Sequence, residues 1–140
     1  MAKVVVDANV IISAVFGGKP LGAVVRALED HEVYLSEAIA QELKGVLFGL
    51  SKKLSKDKLS FIQDKIERLL ALAKPISIST QVVLSRDPKD DHYLSLCKEV
   101  GAEFLVTGDK DLLSLSQDRL KANGISCRIV MPQEFLESIS

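Results

Sequence analysis

Near its N-terminus the chain carries Lys3-Val4-Val5-Val6-Asp7-Ala8-Asn9-Val10-Ile11, and the predicted architecture follows from this segment. The short β-branched run over residues 3–6 is typical of a strand that is buried on both faces of a sheet. The run stops at Asp7, and an apolar, helix-like stretch follows as far as Phe16. A buried strand that leads directly into a helix indicates a parallel α/β sheet.

The rest of the chain alternates between strand and helix patterns. Short strands are predicted over 33–35, 76–78, 104–107 and 126–130. Amphipathic helices are predicted over 21–28, 36–48, 55–74, 87–100 and 132–139. Apolar strands spaced by amphipathic helices pair in parallel, with helices on both faces. The sequence therefore predicts an α/β fold, a three-layer α/β/α sandwich with a central parallel sheet, in a single domain over residues 1–140.

Composition and charge exclude several classes of protein. A content of 47% hydrophobic residues in 140 is ample for a packed core, and 18 basic against 19 acidic residues predict no general affinity for nucleic acids or membranes. Cys97 and Cys127 lie in apolar runs without the spacing of a zinc site or a disulfide framework, so we expect buried thiols in a reducing compartment. No stretch resembles a signal peptide or reaches membrane-spanning length. We therefore expect a cytoplasmic protein without membrane contact.

Two carboxylates directly follow predicted buried strands. Asp7 ends the first strand, and Asp109 comes after the strand that ends at Thr107. In open parallel sheets ligands bind beyond the carboxyl ends of the strands, so both acids are candidate ligands. Taken alone, Asp7 fits equally well as the N-cap of the next helix, and Asp109 fits a polar turn around Gly108.

Glu42 lies within the apolar stripe of its predicted helix, next to Leu43 and between Ile39 and Val46. An unpaired buried charge is costly, by roughly several kcal/mol, so an inward glutamate needs a cation, a counter-charge or a raised pKa. An arginine partner, or a side chain that reaches solvent at the edge of the stripe, is the simpler alternative.

Three aspartates open the helix that follows Arg86. Asp87 before Pro88 has the form of an N-cap. Asp90 and Asp91 both border the buried face, and periodicity does not choose between them. Neither histidine, His31 nor His92, has an evident catalytic partner in the sequence, so we expect both on the surface.

Convergence of these acids at one edge of the sheet would require cations, because uncompensated carboxylates repel one another. Oxygen ligands without Cys or His at ligand spacing favour Mg²⁺ or Mn²⁺ over Zn²⁺. Such ions suit the hydrolysis of phosphodiesters. Residues 44–74 carry eight basic and three acidic side chains, which would flank a phosphate backbone. An ordinary solvated helix surface explains that charge equally well.

The quoted N-terminal segment, the inward Glu42, Arg86-Asp87-Pro88-Lys89-Asp90-Asp91 and Val106-Thr107-Gly108-Asp109-Lys110-Asp111-Leu112 together resemble the PIN-domain nucleases. The resemblance covers essentially the whole chain. It is closest to the bacterial and archaeal group described as toxin components of toxin–antitoxin systems. It implies a flap-endonuclease-like sandwich, Mg²⁺ or Mn²⁺ dependence, endonucleolytic cleavage of RNA, a homodimer or higher homo-oligomer, and often a small antitoxin protein.

The resemblance also assigns roles to single residues. The four acids of the family, as catalytic residues and metal ligands, correspond to Asp7, Glu42, Asp91 and Asp109. The number of residues that separate the third acid from Asp109 in this family favours Asp91 over Asp90. Asp90 keeps a supporting role. Supporting roles fall to Asn9, Asp90, Thr107 and Asp111. Independently of the resemblance, the basic stretch over residues 44–74 supplies the candidates for RNA binding, Lys44, Lys52, Lys53 and Lys56.

Two other functions compete with a ribonuclease. In a phosphohydrolase of the haloacid-dehalogenase type, Asp7 would be a nucleophile, but Asn9 stands where a second aspartate is expected and Glu42 has no task. In a receiver-like or RNA-binding module, the acids would hold one Mg²⁺ without cutting. The four intact acids argue against that module.

Overall fold

The computed structural model describes residues 1–79, 81–85 and 87–139, so Arg86 of the quoted motif lies outside the described residues. Its sheet contains the strands β1 (Lys3–Val6), β2 (Glu32–Leu35), β3 (Lys74–Pro75), β4 (Phe104–Val106) and β5 (Arg128–Val130). Their order is β3-β2-β1-β4-β5, and every neighbouring pair is parallel. The predicted central parallel sheet is confirmed.

Helices connect and cover the strands, and the three-layer α/β/α sandwich is confirmed. The helices are α1 (Ala8–Ala14), α2 (Gly18–Asp30), α3 (Glu37–Ser51), α4 (Lys56–Leu70), α5 (Asp91–Val100), α6 (Lys110–Leu113), α7 (Gln117–Ala122) and α8 (Pro132–Ile139). A 3₁₀ turn, Pro88–Asp90, directly precedes α5. Ser36 and Ser55 cap α3 and α4 as predicted, each side chain accepting a backbone N–H three residues on.

The middle of the sheet explains why the N-terminal segment is so apolar. β1 pairs with β2 on one side and with β4 on the other, and Val4, Val5 and Val6 are all buried. The pairing continues beyond the strand ends, because the Asp7 N–H donates to the Val106 carbonyl over 2.9 Å. The residues that follow β1 and β4 therefore emerge side by side at the carboxyl edge of the sheet.

Several predicted boundaries were wrong. The third strand was predicted over 76–78 but occupies Lys74–Pro75, at the edge of the sheet. Proline lacks a backbone N–H and is tolerated on an edge strand, so the proline expected to end α4 instead lies within β3. Helix α1 ends at Ala14 instead of Phe16, and α2 begins at Gly18, earlier than predicted. Helices α6 and α7, of four and six residues, were not predicted because they are too short to show a periodicity.

Both cysteines are buried and free, as predicted. The Cys97 thiol contacts the Cys127 thiol, and this hydrogen bond together with burial raises the pKa of Cys97 above its ordinary value. Cys97 therefore stays neutral in the core.

In the described ranges no single helix is long and apolar enough to cross a membrane. Helices α1 and α2 would satisfy length and composition only as a pair, and they are bent by 108°.

The interior strand β4, which lies between β1 and β5, should carry much of the stability. Leu105 is fully buried in it, and we expect Leu105→Ala to lower the free energy of unfolding by about 2–5 kcal/mol, through lost burial and the cavity it leaves. Urea unfolding followed by circular dichroism measures this. Leu72→Ala, at a residue that is 66% exposed, should change it by less than about 0.5 kcal/mol. Equal losses for both variants would contradict this description of the core.

Candidate metal centre

Asp7 lies at the end of β1 and is only 3% exposed. Its Oδ1 accepts the Asn9 backbone N–H over 2.9 Å, so it caps α1. Its Oδ2 accepts the Thr107 hydroxyl over 2.6 Å. Asp7 thus fulfils the capping alternative and also lies at the mouth of the sheet.

Thr107 joins the two strand ends. Its fully buried hydroxyl donates to Asp7 and accepts the backbone N–H of Asp109 over 3.0 Å. Asp109 in turn caps α6, since its Oδ1 accepts the N–H groups of Asp111 at 2.7 Å and Leu112 at 3.3 Å. The predicted supporting position of Thr107 is therefore a direct hydrogen-bonded link between two of the predicted acids.

Asp90, Asp109 and Asp111 form an acidic group in which one oxygen of each lies within 4.8 Å of the others. Asp90 is 9% exposed, and its buried Oδ2 has no hydrogen-bond partner within the described part of the chain. Burial, followed by the negative charges of Asp109 and Asp87, raises the pKa of Asp90 to about 7. A buried carboxylate oxygen without a donor, next to two further acids, fits a divalent cation held by oxygen ligands.

Asp91 points elsewhere. Its Oδ1 accepts the backbone N–H groups of Leu84 at 3.0 Å and Ser85 at 2.7 Å. These bonds fasten the segment before the 3₁₀ turn onto α5. Of the two neighbours that periodicity left open, the structure brings Asp90 into the acidic group, whereas sequence resemblance favoured Asp91. Asp87 caps the 3₁₀ turn as predicted, accepting the Lys89 N–H over 3.0 Å.

Glu42 is half-buried and faces α5. Its Oε2 accepts the Tyr93 hydroxyl over 2.7 Å, and its Oε1 contacts His92 Nε2. The described partners are thus a tyrosine and a histidine, not the arginine considered as an alternative. The same Tyr93 hydroxyl lies 3.2 Å from Asp7 Oδ1 and accepts the Ala8 N–H over 3.0 Å. One hydroxyl therefore reaches two of the predicted acids.

Tyr93 and His92 were missed by sequence reasoning. Burial, followed by the charge of Asp7, raises the pKa of Tyr93 above its ordinary value, so the ring remains a proton donor. A tyrosine inside an apolar stripe was the available signal, because its buried hydroxyl needs a partner. The prediction that both histidines lie on the surface was wrong. His92 is half-buried against Glu42, and His31 is half-buried with its Nδ1 accepting the Ala2 N–H over 2.9 Å.

A cleft of about 360 Å³ opens beside the acids. Its lining residues are Asp7, Asn9, Val10, Ser13, Pro20, Gly108, Asp109 and Pro132. Asn9, predicted to support the site, is an exposed residue of this lining. The four predicted RNA-binding lysines are exposed: Lys44 on α3, Lys52 and Lys53 in the turn after it, and Lys56 at the start of α4. Lys44 lines a separate groove with Phe48. The cleft therefore gives a substrate access to Asp7 and Asp109.

A sequence-family model described as PIN domain matches residues 3–111. The chain belongs to the PIN-domain family. The matched region contains β1, Glu42, the Asp90-Asp91 pair and Asp109, so the family relation extends over the acidic site. The haloacid-dehalogenase alternative is set aside for this reason.

Solved structures share the fold of this chain. A chain of VapBC2 from Rickettsia felis, in complex with a DNA fragment from its promoter, has a TM-score of 0.59 and 14% identity, over 91% of this chain and 98% of that one. PAE2754 from Pyrobaculum aerophilum has a TM-score of 0.65 and 14% identity, over 97% and 88%. A domain of a functionally unknown protein from Methanocaldococcus jannaschii has a TM-score of 0.56 and 17% identity, over 92% and 91%. No curated protein matches the chain.

We expect Asp90→Asn to have opposite effects on stability in the two metal states. In EDTA at pH 8 it should raise the melting temperature, because it removes one of several mutually repelling charges. With Mn²⁺ in excess it should reduce the rise in melting temperature that the wild type shows, because a ligand is lost. Differential scanning fluorimetry measures both effects.

Asp118→Asn is the matched control, since Asp118 is exposed on α7. It should leave both melting temperatures within about 1 °C of the wild type, as surface substitutions do. A Mn²⁺-induced rise in Asp90→Asn equal to that of the wild type would contradict the assignment of Asp90 as a ligand.

Proposed function

We propose that this PIN-domain protein is a metal-dependent endoribonuclease that hydrolyses RNA phosphodiester bonds. The observation that carries the proposal is the acidic group of Asp90, Asp109 and Asp111 at the carboxyl edge of the sheet. Among the described residues, the buried Oδ2 of Asp90 has no hydrogen-bond partner. Membership of the PIN-domain family supports nuclease activity, and the open cleft beside Asp7 and Asp109 supports a polymeric substrate.

Some residues of the site would bind the metal ion, and others orient the metal-binding side chains. Asp90, Asp109 and Asp111 would hold Mg²⁺ or Mn²⁺ together with Asp7, whose carboxylate is oriented by Thr107. Bound Mg²⁺ or Mn²⁺ supplies a hydroxide nucleophile at neutral pH and offsets the charge that develops on phosphate oxygens. In this proposal Asp90 takes the ligand role that sequence resemblance gave to Asp91.

Glu42, on α3, is the remaining acid of the predicted set. Its position is fixed by two adjacent residues of α5, His92 and Tyr93, and the shared Tyr93 hydroxyl sets its approach to Asp7. We propose that Glu42 contributes a further ligand oxygen or accepts a proton from the attacking water. Asp91, in turn, would hold the Leu84–Ser85 backbone and so keep Asp90 in place.

The identity of the substrate and partners follows the resemblance to PIN-domain toxins. We propose RNA as substrate, with Lys44, Lys52, Lys53 and Lys56 as contacts to its phosphates outside the cleft. We further propose a cytoplasmic toxin that forms a homodimer and is controlled by a small antitoxin. The structural similarity to a chain of VapBC2 supports the antitoxin proposal through the shared fold.

Cleavage of end-labelled single-stranded RNA tests this function. The wild type should cut with Mn²⁺ or Mg²⁺ and not with EDTA. Asp109→Asn should cut at least about 100-fold more slowly, because a charged ligand is lost, while asparagine still caps α6. Glu42→Gln should weaken metal binding with little change in fold. Asp118→Asn should cut at the wild-type rate.

The same assay separates the two neighbouring aspartates. Asp90→Asn should lose cutting, and the loss should persist at high Mn²⁺. Asp91→Asn should lose less, since an asparagine oxygen still accepts the Leu84 and Ser85 N–H groups. If Asp91→Asn lost more cutting activity than Asp90→Asn, Asp91 would be the third metal-binding acid, as sequence resemblance predicted. Cutting by Asp109→Asn at the wild-type rate would indicate a contaminant, and intact RNA with every metal would favour a binding module.

A further inference from the structure

The turn between α1 and α2 presents an aromatic ring and a cation. Phe16 is 73% exposed and Lys19 is exposed three residues later. Gly17 and Gly18 between them have φ angles of 91° and 71°, a region that favours glycine. They turn the chain so sharply that the two helix axes differ by 108°.

This turn joins two walls of the cleft. Asn9 and Ser13 line the cleft from α1, and Pro20 lines it from α2. Phe16 lies seven residues after Asn9 and three after Ser13, so it continues the same helical face. Its N–H donates to the Ser13 carbonyl over 3.1 Å, which keeps it in a helical turn although α1 itself ends at Ala14. Phe16 therefore lies about one helical turn beyond Ser13, a residue of α1 that lines the cleft together with Asp7 and Asp109.

Phe16 differs from the other two exposed phenylalanines. Lys52 Nζ lies 4.8 Å from the ring centroid of Phe48, and Lys65 Nζ lies 5.2 Å from that of Phe61. Within the described ranges no cation or second ring covers Phe16, and Lys19 forms no ion pair there. Both the ring face and the ammonium group are thus available to a ligand.

We propose that the Phe16–Lys19 turn is a subsite for single-stranded RNA, in which a base near the cleaved bond stacks on Phe16 while Lys19 contacts a phosphate. The inference rests on the proposed ribonuclease function and adds to it a preference for unpaired RNA. An uncovered aromatic ring beside a cation is the combination that single strands bind. Bases in a duplex remain stacked within the helix and do not reach such a ring.

The chain contains no tryptophan, so Phe16→Trp creates a single fluorescent reporter. The probe is a 12-nucleotide single-stranded RNA or its blunt duplex, added with Mg²⁺ to the double variant Phe16→Trp, Asp109→Asn. This variant should bind RNA and cut it too slowly to change the signal during the titration. Stacking should quench the indole emission with the single strand and not with the duplex. Fluorescence anisotropy of labelled RNA reports binding independently of the indole.

Kinetics provide the second measurement. Phe16→Ala should raise KM for single-stranded RNA by about 5- to 100-fold, with kcat within about twofold, because stacking contributes to binding rather than to the chemical step. Phe16→Trp should restore KM. Leu72→Ala removes an apolar side chain of similar exposure in the turn between α4 and β3, and it should leave KM unchanged. The logarithm of the RNA-binding constant falls linearly with the logarithm of the salt concentration, and Lys19→Gln should make this slope less steep by about 0.7. That is the value for one phosphate contact on a single strand.

The outcomes separate this inference from the function on which it rests. Absence of both RNA binding and cutting by the wild type would overturn both. Normal cutting together with an unquenched indole and an unchanged KM for Phe16→Ala would overturn the subsite alone. Loss of dimerisation or of a protein partner in Phe16→Ala, with KM unchanged, would assign this turn to a protein interface instead.

Discussion

The hydrogen bond from the Thr107 hydroxyl to Asp7 Oδ2, 2.6 Å long and fully buried, is the contact on which the site depends. It joins the ends of β1 and β4, and the Asp109 N–H completes the chain of bonds at Thr107. On the other side of Asp7, the Tyr93 hydroxyl connects α5 and the Glu42 carboxylate of α3. A parallel sheet brings the strand ends together, and these neutral donors allow the carboxylates to remain close.

The acids of the site are satisfied to different degrees, and this difference indicates where a cation is needed. Asp7 and Glu42 receive hydrogen bonds from neutral side chains. Asp90 has a buried oxygen that accepts no hydrogen bond from any residue the structure describes, and it faces Asp109 and Asp111. Because repulsion among acids destabilises the protein without a bound ion, the metal should contribute to folding as well as to catalysis. The cleft lies beside this charge-rich edge, and the exposed ring of Phe16 follows Ser13, one of its lining residues, by three positions.

The sequence predicted the central sheet because long-range parallel pairing requires apolar strands, and Val4–Val6 and 104–106 are unmistakably apolar. It also placed Asp7 and Asp109 at one edge, since each lies within three residues of the end of such a strand. Periodicity could not separate Asp90 from Asp91, because the side chains of neighbouring helical residues differ in direction by only about 100°. The 3₁₀ turn Pro88–Asp90 before α5 also changes this angle from the α-helical value. The clamp of His92 and Tyr93 on Glu42 joins residues about 50 positions apart, which no local pattern reveals.

The central claim is that a divalent cation binds among Asp90, Asp109 and Asp111, and anomalous diffraction from a crystal grown with Mn²⁺ tests it most directly. We predict an anomalous peak within coordination distance of carboxylate oxygens of these three residues, with the Asp91 carboxylate still bonded to the Leu84 and Ser85 N–H groups. A peak at Asp91 with those bonds broken, or no peak among the acids at saturating Mn²⁺, would contradict the account.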